Sequence, residues 1–284
     1  MAEGKSASDR NRNLEGKTVW VTGSSRGIGR AIASHLAFCG ANVAIHGTTP
    51  TSVRAFGEGD TLEGAAGELA RASGSEVFPV HGDLTDEEVV KELAAQIRAK
   101  FGRIDILVNC AGGDIGARGT SGPLGGKPES NEAVFISSGD IRTVLERNLM
   151  TCIFVCREVA PEMMERRSGA IVNFGSIAGL AGRESGAIYA TAKAAVHHYS
   201  RCLAAQLRPY NVRVNVAAPG FITTPRFKAS RELNDEWLVE DGTLERYGRS
   251  DEVARLVEYF VSDANSYVTG QVLRIDGGMQ FFPA

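Results

Sequence analysis

Seven short apolar runs alternate with helical patterns between residues 17 and 276, and no break in composition divides them. An apolar run of four to eight residues bounded by turn residues suits a strand buried on both faces, which a parallel sheet covered by helices provides. One doubly wound α/β domain with a seven-stranded parallel sheet is therefore expected over residues 16–284. The runs are Lys17–Thr22, Ala41–His46, Glu76–Val80, Ile104–Asn109, Gly169–Phe174, Val212–Ala217 and Gln271–Ile275. In open sheets of this kind ligands collect beyond the carboxyl ends of the strands, so chemistry is sought in the residues just after each run.

The first run leads into Gly23-Ser-Ser-Arg-Gly-Ile-Gly29 and then a helical pattern to about Phe38. Glycines at 23, 27 and 29 permit a tight turn and close approach of a ligand, and the helix start offers unpaired N–H groups to a pyrophosphate. Ser25, Arg26 and Ile28 share that loop. The second run ends His46-Gly47-Thr48-Thr49 with no carboxylate to grip a free ribose 2′-hydroxyl. Arg26 can meet a 2′-phosphate with its forked donors, so NADP(H) is favoured over NAD(H). Gly47 and Thr48 would flank the adenosine ribose. Asp83, beside Leu84 after the third run, either bonds adenine or caps the next helix. After the fourth run, Asn109-Cys-Ala-Gly112 offers small residues, with Ala111 and Gly112 permitting close approach to the cofactor.

The chemistry itself is expected at Tyr189-Ala-Thr-Ala-Lys193 and Ser176. Four residues make about one helical turn, so Tyr189 and Lys193 project from one face. An ammonium beside a phenol favours the phenolate and readies it to exchange a proton. The Ser176 hydroxyl, after an apolar strand, can bond the oxygen on which charge develops.

Three further stretches invite interpretation. Residues 113–139 are rich in Gly, Ser and Pro, fitting either a binding loop over the substrate or a disordered surface insertion. Residues 221–249 mix Phe221, Phe227, Trp237 and Leu238 with many charges, as a substrate lid or as an ordinary surface helix pair. A long helix over Asp140–Arg166 carries Asn148, and Pro161 is expected to kink it. The adjacent His197 and His198 face different ways, one packed and one solvated, so they do not share a metal.

Composition excludes more than it selects. A formal net charge of -3 gives no reason to bind nucleic acid or an acidic membrane. No apolar run approaches the ~18–20 residues that cross a bilayer. Met1 to Glu15 are polar without the apolar core of a secretory signal, and are expected to be a flexible tail. Five cysteines form no Cys-x-x-Cys pair and have no histidine at metal-ligand spacing, so reduced thiols in a cytoplasmic protein without metal are expected. Phe281 and Phe282 in the apolar end Met279–Ala284 suggest burial against another subunit.

Taken together, Thr22-Gly-x-x-x-Gly-x-Gly29, Asp83, Asn109-Cys-Ala-Gly112, Asn148, Ser176, Tyr189-x-x-x-Lys193, Pro219-Gly220 and Asp276-Gly-Gly278 resemble the short-chain dehydrogenase/reductase family. The resemblance runs over nearly the whole chain and implies a Rossmann fold. It also implies hydride transfer between a nicotinamide and a small carbonyl or alcohol substrate. Tyr189 would be the general acid or base, Lys193 would bond the nicotinamide ribose, Ser176 would hold the substrate oxygen, and Asn148 would keep a water linked to Lys193. Pro219, Gly220 and Ile222 would contact the nicotinamide, Thr224 its phosphate or amide, and a homotetramer or homodimer would form. Two departures stand out: Cys110 replaces the usual second asparagine, and the stretch from Gly112 to Asn148 is enlarged, as is that after the second strand. The enlargement puts in doubt any transfer of substrate identity from 3-oxoacyl thioester reductases. The competing readings are a 3-oxoacyl thioester reductase and a non-catalytic dinucleotide sensor or scaffold, which commonly loses the tyrosine or lysine kept here.

Overall fold

A computed structural model describes residues 12–239 and 242–281. Seven strands form one all-parallel sheet: β1 (Thr18–Thr22), β2 (Asn42–Gly47), β3 (Val77–His81), β4 (Ile106–Asn109), β5 (Gly169–Phe174), β6 (Val212–Pro219) and β7 (Val272–Ile275). Their order is β3-β2-β1-β4-β5-β6-β7, so the strand order reverses between β1 and β4 and opens a crevice beyond their carboxyl ends. The register places Trp20 beside Ala44 of β2 and Leu107 of β4, all three in the core on one face of the sheet.

The helices complete two cores. On one face α1 (Gly27–Phe38), α2 (Leu62–Ser73) and the C-terminal helix Ser250–Val261 pack with Val19 and Val21. On the other, α3 (Glu87–Phe101), the helix Thr151–Arg166 and the helix Ala187–Leu207 pack with Trp20 and Leu107. In chain order the later helices are α4 (Ser138–Leu145), α5 (Thr151–Arg166), α6 (Ala187–Leu207), α7 (Pro225–Ala229) and α8 (Ser250–Val261). The doubly wound seven-stranded sheet expected from the apolar runs is the fold observed.

Several local expectations are corrected. The polar tail ends sooner than residue 15: Leu14 is 1% exposed and its N–H donates to the Cys39 carbonyl at 3.0 Å. Residues 1–11 and Phe282 lie outside the described residues. The helix runs through Pro161, and the irregularity falls earlier, in a π turn over Glu146–Met150 between α4 and α5. His197 is buried and His198 exposed, as expected.

The two enlarged stretches are packed onto the body. In residues 113–139, Ile115, Asn131 and Ile136 are buried, and the Arg226 guanidinium donates to the carbonyls of Gly125 (3.0 Å) and Asp114 (2.7 Å). The Gly186 N–H, just before α6, donates to the Asn131 carbonyl at 2.7 Å. Residues 221–249 gather Phe221, Phe227, Trp237 and Tyr247 around one another, the Phe227 and Tyr247 rings being 5.2 Å apart. The stretch after β2 forms a 3₁₀ turn, Ser52–Phe56, anchored by buried Val53.

Candidate active site

Beyond β5 the chain turns at Ser176, whose side-chain oxygen accepts the Ala178 N–H at 3.1 Å and starts a 3₁₀ turn. The hydroxyl keeps its own hydrogen to donate. One element later, α6 begins at Ala187, and Tyr189 and Lys193 lie one turn apart on it. Lys193 is 4% exposed; its ammonium donates to the Phe174 carbonyl at 2.8 Å and lies 5.7 Å from the centre of the Tyr189 ring. That lysine is therefore anchored by β5 and held near the phenol, a placement from which an ammonium can stabilise negative charge on a phenol oxygen. Ser176, Tyr189 and Lys193 all line one cavity of about 300 Å³.

The rest of that cavity is the crevice beyond β1, β2, β3 and β4. Gly23 has φ +64°, and a Cβ there would meet the Ala111 backbone at 2.7 Å; a Cβ on Gly29 would meet the Gly23 carbonyl oxygen at 2.4 Å. The loop is thus closed to any side chain at these two points, which leaves backbone to form the wall. His46 fixes its shape. Its Nδ1 accepts the Gly23 N–H at 3.1 Å, and its Nε2 lies 3.0 Å from the Gly82 carbonyl, so the neutral ring donates from Nε2. Burial pushes the ring down to about 4 from 6.5, holding it in that neutral form.

A dinucleotide fits this wall. The start of α1 already receives an anionic oxygen, because the Glu58 carboxylate accepts the Gly27 N–H at 2.8 Å. Ser25, Arg26, Gly27, Ile28, Gly47, Thr48, Asp83, Leu84, Ala111, Gly112, Pro219, Gly220 and Thr224, all candidates from the sequence, line one cavity. Arg26 is not left open to solvent: its Nη1 donates to the Ser52 carbonyl at 2.7 Å and it lies over the Phe56 ring at 5.4 Å. Asp83 Oδ1 accepts the N–H and hydroxyl of Thr85, a local turn, while Asp86 caps α3.

Three expected residues sit elsewhere. Asn109 faces the core, its amide donating to Asn173 Oδ1 at 2.9 Å, and it does not reach the cavity wall. Asn148 is also off the wall: its amide nitrogen donates to the carbonyls of Gly113 (2.9 Å) and Val144 (2.8 Å), and its Oδ1 accepts the Gly113 N–H at 2.9 Å. It anchors the start of the 113–139 stretch from within the π turn. Ile222 lines a second, adjoining cavity of about 200 Å³ rather than the first. The two cavities share Ile28, Gly113, Ser176, Tyr189, Gly220, Thr224 and Arg226.

Sequence reasoning missed His46, Glu58 and His197. His197 Nε2 accepts the Ser176 N–H at 3.3 Å, and burial first, then Lys193 and Arg201, push its ring down to about 4. Its spacing of four from Lys193 on one helix face was the available signal. Glu58 gave none, since a surface turn 31 residues from the glycine loop brings it there. Cys110 lines the cavity, its N–H and that of Ala111 both donating to Thr22 Oγ1 at 3.1 Å; burial pushes its thiol up to about 12, which favours the protonated form.

The chain has many known relatives. A family profile described as Enoyl-(Acyl carrier protein) reductase matches residues 23–280. Cyclohexanol dehydrogenase of Rhodococcus sp. (strain TK6) is 37% identical over 95% of this chain and 98% of that one. The 3-oxoacyl-[acyl-carrier-protein] reductase of Chlamydia trachomatis serovar D is 35% identical over 94% and 98%. Among solved structures, a 3-oxoacyl-[acyl-carrier protein] reductase with bound NAD from Brucella melitensis superposes with a TM-score of 0.78 at 29% identity, covering 98% of this chain and 97% of that one. With the strand order, the glycine loop and the Ser176, Tyr189 and Lys193 wall in place, the chain belongs to the short-chain dehydrogenase/reductase family and is an NAD(P)-dependent oxidoreductase.

Proposed function

We propose that the protein interconverts a secondary alcohol and a ketone, with Tyr189 giving or taking the proton. One observation carries this reading: Ser176 and Tyr189 stand on the boundary between the dinucleotide-shaped cavity and the smaller second one, and Lys193 lies behind the tyrosine. A bound nicotinamide supplies or accepts the hydride. The Ser176 hydroxyl donates to the substrate oxygen, Tyr189 moves the proton, and Lys193 both holds the ribose and stabilises the developing charge. Asn148 acts through the backbone, fixing Gly113 at the shared edge of both cavities. The intact serine, tyrosine and lysine argue against a non-catalytic sensor. A 3-oxoacyl thioester is the alternative substrate, supported by the reductases among the relatives.

The cofactor is read as NADP(H), supported by Arg26 at the adenosine end of the cavity and by the absence of a carboxylate directly after β2. Glu58 favours the second reading, NAD(H). Its Oε1 is buried without a hydrogen-bond partner among the described residues, which suits acceptance of a ribose hydroxyl and opposes a 2′-phosphate. A homotetramer or homodimer is supported by exposed Tyr267, Leu273 and Phe281 near the C-terminal end, and a cytoplasmic setting by five free cysteines. Among the described residues no helix is long and apolar enough to cross a membrane. The test is Tyr189→Phe. Loss of the proton donor should lower kcat by about 10²–10⁴-fold while dinucleotide binding persists; unchanged turnover refutes the mechanism.

A further inference from the structure

The second cavity is walled by four cations, Lys127, Arg183, Arg226 and Arg231, against one carboxylate, Asp114. They come from separate segments: Lys127 and Asp114 from residues 113–139, Arg183 from the loop before α6, and Arg226 and Arg231 from residues 221–249. The carboxylate does not balance them. Asp114 Oδ2 accepts from the Asn131 amide at 2.7 Å, and Arg226 is occupied by the carbonyls of Gly125 and Asp114. By contrast Lys127 and Arg183 have no side-chain hydrogen bond or ion pair among the described residues. Among the described residues Arg231 makes one side-chain hydrogen bond, Nε to Ser230 Oγ at 3.4 Å, and its guanidinium sits over the Phe227 and Phe221 rings at 4.1 and 5.1 Å, contacts that do not neutralise it.

These charges act on one another. Burial holds the Lys127 ammonium below its usual range, and Arg231, Arg226 and Arg183 lower it further while only Asp114 opposes them. Convergent cations in one cavity raise its positive potential and favour the binding of an anion there. The same cavity is lined by Ser176 and Tyr189, so one small molecule can present an anionic group to the cations and an oxygen to the serine and tyrosine. A volume of about 200 Å³ suits a small one.

We propose that the substrate is a small ketone or secondary alcohol bearing a carboxylate, held by Lys127, Arg183 and Arg231 while its oxygen meets Ser176 and Tyr189. This rests on the reading that those two residues do the chemistry. Hydride and proton add across the carbonyl as before, and the carboxylate is unchanged by the reaction.

The experiment compares cyclohexanone, 4-oxocyclohexanecarboxylate and its methyl ester as substrates of the full chain, following oxidation of the reduced cofactor. The acid should exceed the ester in kcat/KM by at least tenfold, chiefly through KM. In the Lys127→Gln/Arg183→Gln double variant the two should become equal, with reduced-cofactor binding unchanged. Equal rates for acid and ester in the wild type, or a double variant that slows both alike, overturn the anion reading and leave the alcohol/ketone reading intact. Calorimetry of the acid with the cofactor complex of Tyr189→Phe distinguishes the other failure. Saturable binding there that the double substitution abolishes, with no turnover of any ketone by the wild type, upholds the anion site and overturns the chemistry.

Discussion

His46 makes two backbone contacts that only the neutral ring can make together, accepting from Gly23 at 3.1 Å and donating to Gly82 at 3.0 Å. Burial lowers it from 6.5 to about 4, against weaker opposing effects of the Gly82 carbonyl and Asp83. A folded value below the unfolded one means that the unfolded chain takes up the proton first. The stabilisation is therefore complete above about pH 6.5 and is lost as the pH falls toward about 4. Between pH 7 and pH 5 these two values give a loss of about 2 kcal/mol from this one ring. His197, lowered to about 4 by burial and then by Lys193 and Arg201, adds about 2 kcal/mol over the same window. Urea unfolding at both pH values reads the effect. Wild type should lose about 2 kcal/mol more between pH 7 and pH 5 than His46→Gln does, although the variant is the less stable at pH 7. Equal pH dependence in wild type and His46→Gln refutes the argument. Because protonation also releases the glycine loop, dinucleotide affinity should fall over the same range.

Other perturbations have equally definite expectations. Glu58→Gln removes the carboxylate beside the adenosine end and should raise the NADP(H) over NAD(H) affinity ratio by about tenfold, or ~1.4 kcal/mol, in a direct titration. Gly29→Ala places a Cβ 2.4 Å from the Gly23 carbonyl oxygen, so a loss of about 2 kcal/mol in unfolding free energy and weakened dinucleotide binding are expected. Asn148→Ala strands the Gly113 N–H and carbonyl, and should cost about 2–3 kcal/mol of stability in urea unfolding while raising KM more than it lowers kcat. Acidification below about pH 4.5 should add a further loss from Glu252, whose carboxyl is held at about 2 by the Arg246 guanidinium; this loss should shrink in Arg246→Gln.

The strands and the tyrosine–lysine pair could be read from the sequence because both signals are local. An apolar run bounded by turn residues and a spacing of four need no partner elsewhere in the chain. Asn109 shows where that stops. A polar residue at a strand end can face the ligand or the core, and the register that pairs it with Asn173 decides for the core. Glu58 and the buried Leu14 depend on contacts across 31 and 25 residues, and leave no periodicity to detect. In the long helix the proline drew attention, yet the irregularity lies at Glu146–Met150, where Asn148 bonds to Gly113 and Val144. The local rule was outweighed by a tertiary contact.

The hydrogen bond from Gly186 to the Asn131 carbonyl ties the 113–139 stretch to the first turn of the helix that carries Tyr189. A loop that both lines the second cavity and is tied to the start of the helix bearing Tyr189 is not an exchangeable cassette. Grafting it from a relative of different length is expected to disturb the placement of Tyr189 along with the second cavity, whereas, on the proposed anion reading, point changes at Lys127 or Arg183 should alter selectivity alone. Divergence of this enzyme toward new substrates is thus channelled through a few side chains on a fixed backbone, and the same restriction guides its redesign.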